Sequence, residues 1–368
     1  MLNLKSFVSS HMVLAIILGS VGAVAHAVNA FPALGRPALV VRAPERQVMQ
    51  AAAKAGERLV AVGERGLVIL SDNGAKTWKQ AVRVPVSVTL TAVCFVNEKL
   101  GWAVGHGGTV LHTVDGGDNW AVQVNGEQLA KVALQEAEEY ARLNPNANNA
   151  DRLLKSAQQL LADGPDKPLL DVKFRDAQNG WVVGAFNMFF ETRDGGKNWT
   201  GLRHLIDNPK EMHLYAIDAT MNEVYIVGEQ GQMHRSTDAG QTFQPLKSPY
   251  SGSWFSVVTT RDGSVVAGGL RGNTFRSGNQ GESWQKIEGL PPISIVSIAT
   301  LTDGNVVLAN QAGQLYFLGQ SEKATLLKTP ALPPASSVLP LNAGSVLVVG
   351  GAGVIPVSAN PGASGNSK

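Results

Sequence analysis

VAVGERGLVILSDNGAKTW (60–78) sets the fold of this chain, because its pattern returns four more times. The copies are WAVGHGGTVLHTVDGGDNW (102–120), WVVGAFNMFFETRDGGKNW (181–199), YIVGEQGQMHRSTDAGQTF (225–243) and VAGGLRGNTFRSGNQGESW (266–284). Each has an apolar pair, a glycine, a short turn, a short strand, then a Ser/Thr-led turn closed by an aromatic residue. The first glycine and the Ser/Thr lie eight residues apart in all five, from Gly63 and Ser71 to Gly269 and Ser277. Two degenerate copies, VVLANQAGQLYFL (306–318) and VLVVGGAGVIPVS (346–358), keep the strands and lose the Ser/Thr-led turn.

With Gly63, Gly105, Gly184, Gly228, Gly269, Asn310 and Gly350 as markers, the steps are 42, 79, 44, 41, 41 and 40 residues. Units of that length with several short strands predict an all-β fold, a seven-bladed β-propeller of four-stranded antiparallel blades. Each blade packs mainly on its neighbours, so a chain of 368 residues forms one ring over 28–357. Composition agrees: 44% apolar, 16% charged and 40 glycines, as short strands and tight turns require. The segment 38–42 (ALVVR) is expected to close the ring by pairing with the last blade, since closure hides open sheet edges.

The Ser/Thr-x-Asp-x-Gly-x-Thr-Trp turn is an Asp box. Its acid accepts backbone N–H bonds inside the turn, and its aromatic anchors the outer strand between blades. Asp115, Asp194 and Asp238 keep the acid, while Asn73 and Asn279 replace it; the anchors are Trp78, Trp120, Trp199, Phe243 and Trp284. Asparagine keeps the acceptor oxygen without the charge, so the reading is structural. One carboxylate per turn falls far short of the six to eight oxygens of a calcium site, so no metal is expected.

The doubled step holds an insertion at 121–168. Leu129, Val132, Ala133, Ala137 and Tyr140 recur at helical spacing, as do Leu153, Leu154, Ala157, Leu160 and Leu161, and Asp163-Gly164-Pro165 stops the second run. Two amphipathic helices make a hairpin, either a clamp on the propeller or a docking element. It joins the fourth strand of one blade to the first of the next. It therefore shares a face with the turns between second and third strands, which carry Glu64, Arg65, His106, Phe186, Asn187, Glu229, Gln230, Leu270, Arg271 and Gln311. That face is the expected working face; the Asp boxes occupy the other.

At the N-terminus, Lys5, the apolar run 12–24 and Ala25-His26-Ala27 read as a signal peptide over 1–27, cleaved before Val28 and too short to span a membrane comfortably. No cysteine stands next to that apolar run, so no lipoprotein attachment site is expected; Cys94 is the sole cysteine and lies in an apolar strand. Residues 358–368 read as a loose tail. A net charge of +2 gives no basic stripe for nucleic acid. A soluble periplasmic protein without cofactor is expected, lumenal if the source is photosynthetic.

Asp-box propellers also include glycoside hydrolases and sialidases, so enzyme and carbohydrate-binding readings stay open. A glycosidase needs converging carboxylates; the working-face acids are Glu64 and Glu229, three blades apart, with Asp171 taken as solvated. Arg65, Arg203 and Arg271 are the arginines that a sialidase reading would use. His106, His112, His204, His213 and His234 lack metal-ligand spacing. Tyr215, Trp254 and Phe255 stand near the starts of inner strands, either as an aromatic wall at the channel mouth or as core.

GWAVG (101–105), GWVVG (180–184) and VGERG (62–66), each leading into its box, resemble the photosystem II stability/assembly-factor family over 57 to about 320. The resemblance implies a non-enzymatic propeller that binds newly made reaction-centre subunits through an arginine-bearing face, with Arg65 and Arg271 the matching candidates. The partner is then a protein, part of a membrane or envelope complex, possibly a transporter where the source is not photosynthetic. Phe186, Tyr215, Glu229 and Trp254 complete the set of expected partner contacts.

Overall fold

The computed structural model describes residues 31–342 and 344–358. The expected signal peptide, and all of the tail except Ser358, lie outside the described residues. Seven antiparallel sheets follow one another along the chain as blades 1 to 7, at 49–80, 90–124, 169–201, 214–245, 254–286, 295–326 and 335–358. Strands run in chain order from the channel outward. Among the described residues six blades have four strands and blade 7 has three, and Ser358, assigned to the tail, ends its outer strand. Second strands such as Gly101–Gly105 and Val224–Gly228 are buried at every position, since both sheet faces are covered by neighbouring blades.

The marker glycine has a steric cause. Its backbone is extended, with φ of −159° at Gly63 and −166° at Gly184, so no special conformation is needed. A Cβ at Gly63 would instead overlap the Val48 carbonyl and stand 2.9 Å from Met49 Cα; the same crowding recurs at Gly105, Gly184, Gly228, Gly269 and Gly350. The chain comes this close because the first strand of every blade carries a bulge, at Gln50, Thr91, Leu170, Tyr215, Phe255, Val296 and Ser336. An extra residue bends a strand and re-aims a side chain, and all seven bulge residues line the central channel. Blade 6 has Asn310 at the marker place, wholly buried, its Oδ1 accepting from Ala312 and Gln314 N–H.

The five Asp boxes share one bonding pattern whether the third residue is Asp or Asn. Asp238 Oδ1 accepts from Thr242 N–H at 2.9 Å, and Asn279 Oδ1 accepts from Ser283 N–H at 2.9 Å. The leading hydroxyl caps the turn in turn, as Thr192 Oγ1 does for Gly196 N–H at 2.8 Å. Trp120 and Trp199 are buried, while Trp78, Phe243 and Trp284 are partly buried.

Inner strands are also stitched sideways. Asp171 on blade 3 accepts from Ile217 N–H on blade 4, and Asp218 accepts from Thr259 N–H on blade 5. Ser256 accepts from Ile298 on blade 6, and Ser297 from Val338 on blade 7. Asp171 is therefore not a solvated residue. Burial, opposed by its two backbone N–H bonds, pushes its carboxyl up to about 6. Asp218 also holds Lys173 at 2.6 Å, and that carboxylate raises the lysine's pKa. Trp102 stacks on Phe174 at 3.6 Å between blades 2 and 3.

The segment 38–42 does not close the ring. It forms no strand; Ala38 N–H donates to Val84 O, Val41 N–H to Gln80 Oε1, and Leu39 and Val40 are exposed, all along the outer edge of blade 1. A turn at Pro44–Arg46 then carries the chain past blade 7. Blade 7 meets blade 1 by packing of Leu347, Val349 and Val354 on Met49, Leu59, Ala61 and Ile69, with Lys54 Nζ donating to Leu341 O at 2.7 Å. The arm does not pair in a sheet because Val41 N–H and Leu39 O are engaged by the Gln80 side chain on blade 1, and the turn at Pro44–Arg46 takes up the chain before Met49. Cys94, partly buried in blade 2, has its thiol pushed up to about 12 by burial.

Two outcomes follow from this packing. Gly63→Ala will lower the thermal midpoint, with a loss of roughly 1–3 kcal/mol from forced overpacking, measured by calorimetry. Hydrogen bonds from Thr242 hold Asp238 down at about 2, against an ordinary 3.8. Its stabilisation is therefore complete above about pH 4 and lost as pH falls through 2. Urea midpoints for Asp238→Asn will lie slightly below wild type at pH 7 and fall less steeply below pH 4.

Candidate partner-binding face

Helices α1 (Gly126–Leu143) and α2 (Ala150–Asp163) fill the connection between blades 2 and 3. The segment assigned to the insertion, 121–168, begins with the outer strand of blade 2, Ala121–Val124. Asn125 and Gln128 form a reciprocal cap at the start of α1, at 3.1 and 3.0 Å. Leu129, Ala130, Ala133 and Ala137 of α1 and Ala157 and Leu160 of α2 are buried with Trp102, Phe190 and Trp199. Alanines let α1 lie close to Gly201 on the outer strand of blade 3, where an added Cβ would stand 3.3 Å from Glu136 Cγ. The hairpin is thus clamped to blades 2 and 3 by its apolar faces.

A polar link adds to the clamp. Arg203, 6% exposed, donates from Nη2 to Ser156 Oγ on α2 at 2.6 Å, to Glu211 Oε1 at 3.1 Å and to the Phe186 carbonyl at 3.4 Å. Ser156 Oγ in turn donates to Glu211 Oε2 at 2.6 Å, and Arg152 stands 3.5 Å from Glu211. Burial lowers the Arg203 pKa, and Glu211 opposes that shift. This arginine is spent on structure, so it does not join Arg65 and Arg271 in a surface cluster.

In blades 1 to 5 the turns between second and third strands share one conformation. Their middle residues are left-handed: φ is 56° at Arg65, 53° at Phe186, 51° at Gln230 and 57° at Arg271, with Gly107 at 70°. Each of these, and the turn of blade 6, is tied down by its first N–H, which bonds the carbonyl before the inner strand: Glu64 to Val48, His106 to Thr89, Ala185 to Pro168, Glu229 to His213, Leu270 to Ser253 and Gln311 to Ser294. The middle side chain is therefore held outward. Phe186 is 46% exposed, and Arg65 and Arg271 are exposed with no ion pair among the described residues. These two arginines sit on blades 1 and 5, on separate parts of the rim.

The structure joins some expected contacts and removes one. Phe186 meets the His213 ring edge-on at 4.8 Å, His213 meets Tyr215 at 6.0 Å, and Tyr215 meets Phe255 at 5.4 Å. An aromatic file thus runs from the rim of blade 3 to the channel. Lys167 Nζ lies 5.3 Å over Phe186. Glu229 Oε2 accepts from His213 N–H at 3.2 Å, and His213 Nδ1 accepts from Phe186 N–H at 3.2 Å. Trp254, expected among the contacts, is wholly buried and donates to Ser248 Oγ at 3.1 Å. It precedes the bulge, so its side chain enters the space between blades, whereas the bulge residue Phe255 faces the channel.

Sequence reasoning set His213 aside as an ordinary residue. A signal existed: at the place just before the inner strand, the other blades carry Val48, Thr89, Pro168, Ser253, Ser294 and Pro334, and only blade 4 carries a ring with a titratable nitrogen. The Arg203–Glu211–Ser156 link had no such signal, since it unites a helix with a loop 47 residues away. Among the described residues no group of three or more His, Cys, Asp or Glu side chains is placed to hold a metal ion, and no helix is long and apolar enough to cross a membrane.

Replacing Glu211 leaves two guanidiniums facing each other without their shared carboxylate. Glu211→Gln will raise hydrogen exchange in 150–163 at least tenfold, about 1.4 kcal/mol, while second strands stay protected. Mass-spectrometric exchange resolves the two segments.

Comparison with known proteins agrees with this architecture. A family model described as "Photosynthesis system II assembly factor YCF48" matches residues 70–146 and 152–329, well over half of the chain. A curated relative, the photosystem II assembly lipoprotein Ycf48 of Synechococcus sp. (strain CC9902), is 36% identical over 77 residues. That stretch is 21% of this chain and 23% of the relative, so the match spans about a quarter of that protein's length. Among solved structures, one described as YCF48 bound to D1 peptide superposes with a TM-score of 0.60 at 18% identity, covering 88% of this chain and 99% of that one. YCF48 from Cyanidioschyzon merolae gives 0.59 at 15% identity, covering 87% and 98%. At those identities the structures show the shared fold, and the family match shows more: the chain belongs to the photosystem II assembly-factor YCF48 family.

Proposed function

We propose that this member of the photosystem II assembly-factor family is a non-enzymatic, exported propeller that binds a protein subunit of a membrane or envelope complex during assembly. The working unit is the ring at 28–357, released from a leader at 1–27 into the periplasm or lumen. Binding uses the face that carries the turns at Arg65, Phe186, Glu229 and Arg271, with Tyr215 at the channel mouth.

One observation carries this reading: exposed Phe186 opens a file of aromatic rings that leads into the channel. Exposed, rigidly held aromatic and arginine side chains are the groups that anchor protein partners. The relative described with a D1 peptide supports a polypeptide as the ligand class on this fold. Support for a non-enzymatic role comes from the acids themselves. Glu64 and Glu229 stand on blades 1 and 4, Glu229 is engaged with the His213 backbone, and Asp171 binds two backbone N–H groups. A retaining or inverting glycosidase needs two free carboxyls about 5–10 Å apart.

A photo-reactive amino acid at position 186 or 271 will form adducts with an integral membrane subunit in membranes of the source. The same group at Val114, exposed in an Asp-box turn on the opposite face, will not. Equal labelling from 114, or adducts with soluble proteins alone, would overturn the proposal.

A further inference from the structure

At the channel mouth two aromatic rings meet beside a carboxylate that no lysine or arginine pairs among the described residues. Each inner-strand bulge aims one residue into the channel, and only blades 4 and 5 place rings there, Tyr215 and Phe255. The other bulges carry Gln50, Thr91, Leu170, Val296 and Ser336. The two rings lie 5.4 Å apart with planes inclined by 65°, and both side chains are half-buried. Over the same seam, the turn at Glu229–Gly231 packs on the inner strand of blade 5, Trp254–Thr259. Burial, and then the charge of Glu229, raise the pKa of the Tyr215 hydroxyl, so the field of that carboxylate reaches the rings.

Charge at this seam is one-sided. Glu229 Oε2 accepts from the His213 amide, which leaves Oε1 without a partner among the described residues. His213 Nδ1 lies 3.7 Å from the carboxylate, but it accepts from Phe186 N–H and so carries no proton to offer. The charged residues lining the channel below are Asp171, Asp218 and Lys173, two acids against one base. Both acids are bound to neighbouring strands and stay in place, and their field adds to that of Glu229. Arg271 stands on the following turn, which packs on the inner strand of blade 6 and belongs to the next seam. The two ends of the aromatic file differ in one respect. Over Phe186 lies Lys167 Nζ, held by Asp163 and Asp166, whereas among the described residues no lysine or arginine stands over Tyr215 or Phe255. Ring faces attract cations, most strongly where water is displaced, and a carboxylate beside them adds a charge-assisted bond. An anionic ligand would meet repulsion here, and a neutral one would leave Glu229 unmatched.

We infer that the channel mouth between blades 4 and 5 seats a lysine or arginine side chain of the protein partner, its cation against Tyr215 and Phe255 and bonded to Glu229 Oε1. The inference rests on the protein-binding reading above and adds the charge of the residue that enters. Apolar neighbours of that residue lie outward along His213 and Phe186. The working face then reads its partner with opposite signs at adjacent seams, acid over blades 4 and 5 and Arg271 over blades 5 and 6.

The test uses the full chain and two six-residue peptides, labelled with fluorescein at the N-terminus and amidated at the other end. One has adjacent leucine and arginine among glycines and serines; the other has citrulline, the neutral isostere, in place of arginine. Anisotropy should show the arginine peptide binding at least tenfold more tightly. In protein made with carbon-13-labelled tyrosine, that peptide should shift the Tyr215 ring resonance, identified by its loss in Tyr215→Phe. Glu229→Gln keeps the oxygen that accepts from His213 N–H, so it removes the charge and preserves the turn. It should weaken the arginine peptide at least fivefold and leave the citrulline peptide unchanged. Phe255→Leu fills the same space without a ring face and should also weaken the arginine peptide. Equal affinity for the two peptides, no binding of either at millimolar concentration, shifts that spare Tyr215, or no effect of Glu229→Gln would overturn the inference. If position 186 labels a membrane subunit while arginine and citrulline peptides bind alike, the cation site fails and the proposed function stands. If neither experiment shows binding, both fail.

Discussion

The architecture of this ring turns on one repeated hydrogen bond. In six blades the amide after the marker residue donates to the carbonyl that precedes the inner strand, at 2.8 to 3.2 Å. Because backbone meets backbone there, the marker is a glycine in all of those blades except blade 6. The bond seats the bulge, the bulge aims one residue per blade into the channel, and the same bond pins the following turn so that its middle residue stands out. Core, channel lining and displayed face are therefore set by one close approach. Loss of a single methyl's worth of room at that contact would disturb all three at once.

Two kinds of stitching complement it. Asp boxes tie third to fourth strands within a blade, and they need only an acceptor oxygen, which is why Asn73 and Asn279 serve as well as Asp115, Asp194 and Asp238. Inner-strand side chains tie blades 3 to 7 each to the next, and there the chemistry is less uniform. Serines suffice at blades 5 and 6, whereas blades 3 and 4 use Asp171 and Asp218 with Lys173 between them. The charged stitches lie in the same sector as the hairpin and the aromatic file. A buried charge pair is specific in geometry and intolerant of losing one member, so this sector is the most closely specified part of the channel wall.

The repeat was legible because glycine, hydroxyl and aromatic recur at fixed offsets, each for a local steric or hydrogen-bonding reason. Helical spacing likewise revealed the hairpin, and the face it shares with Phe186 followed from strand counting. What stayed hidden depends on neighbours far along the chain. The bulge leaves no mark in composition, so Trp254 and Phe255 were indistinguishable although one is core and the other faces the channel. Asp171 reads as a polar residue in a strand until blade 4 presents the Ile217 amide. Arg203 reads as a surface arginine until α2 is laid over it. The route of 31–48 was misjudged because an apolar run can lie on a blade's outer edge as readily as it can pair in a sheet.

Among the described residues, no strand from one end of the chain joins a sheet at the other across the seam between blades 7 and 1. The third strand of blade 7, the outermost among the described residues, carries Pro356, which removes one backbone donor from its edge. Side-chain packing holds this seam, with Lys54 Nζ on Leu341 O and the turn at Pro44–Arg46 in place of a strand ladder. The turn at Pro44–Arg46 lies against the outer strands of both blades, so the arm that precedes blade 1 doubles as a latch over this seam.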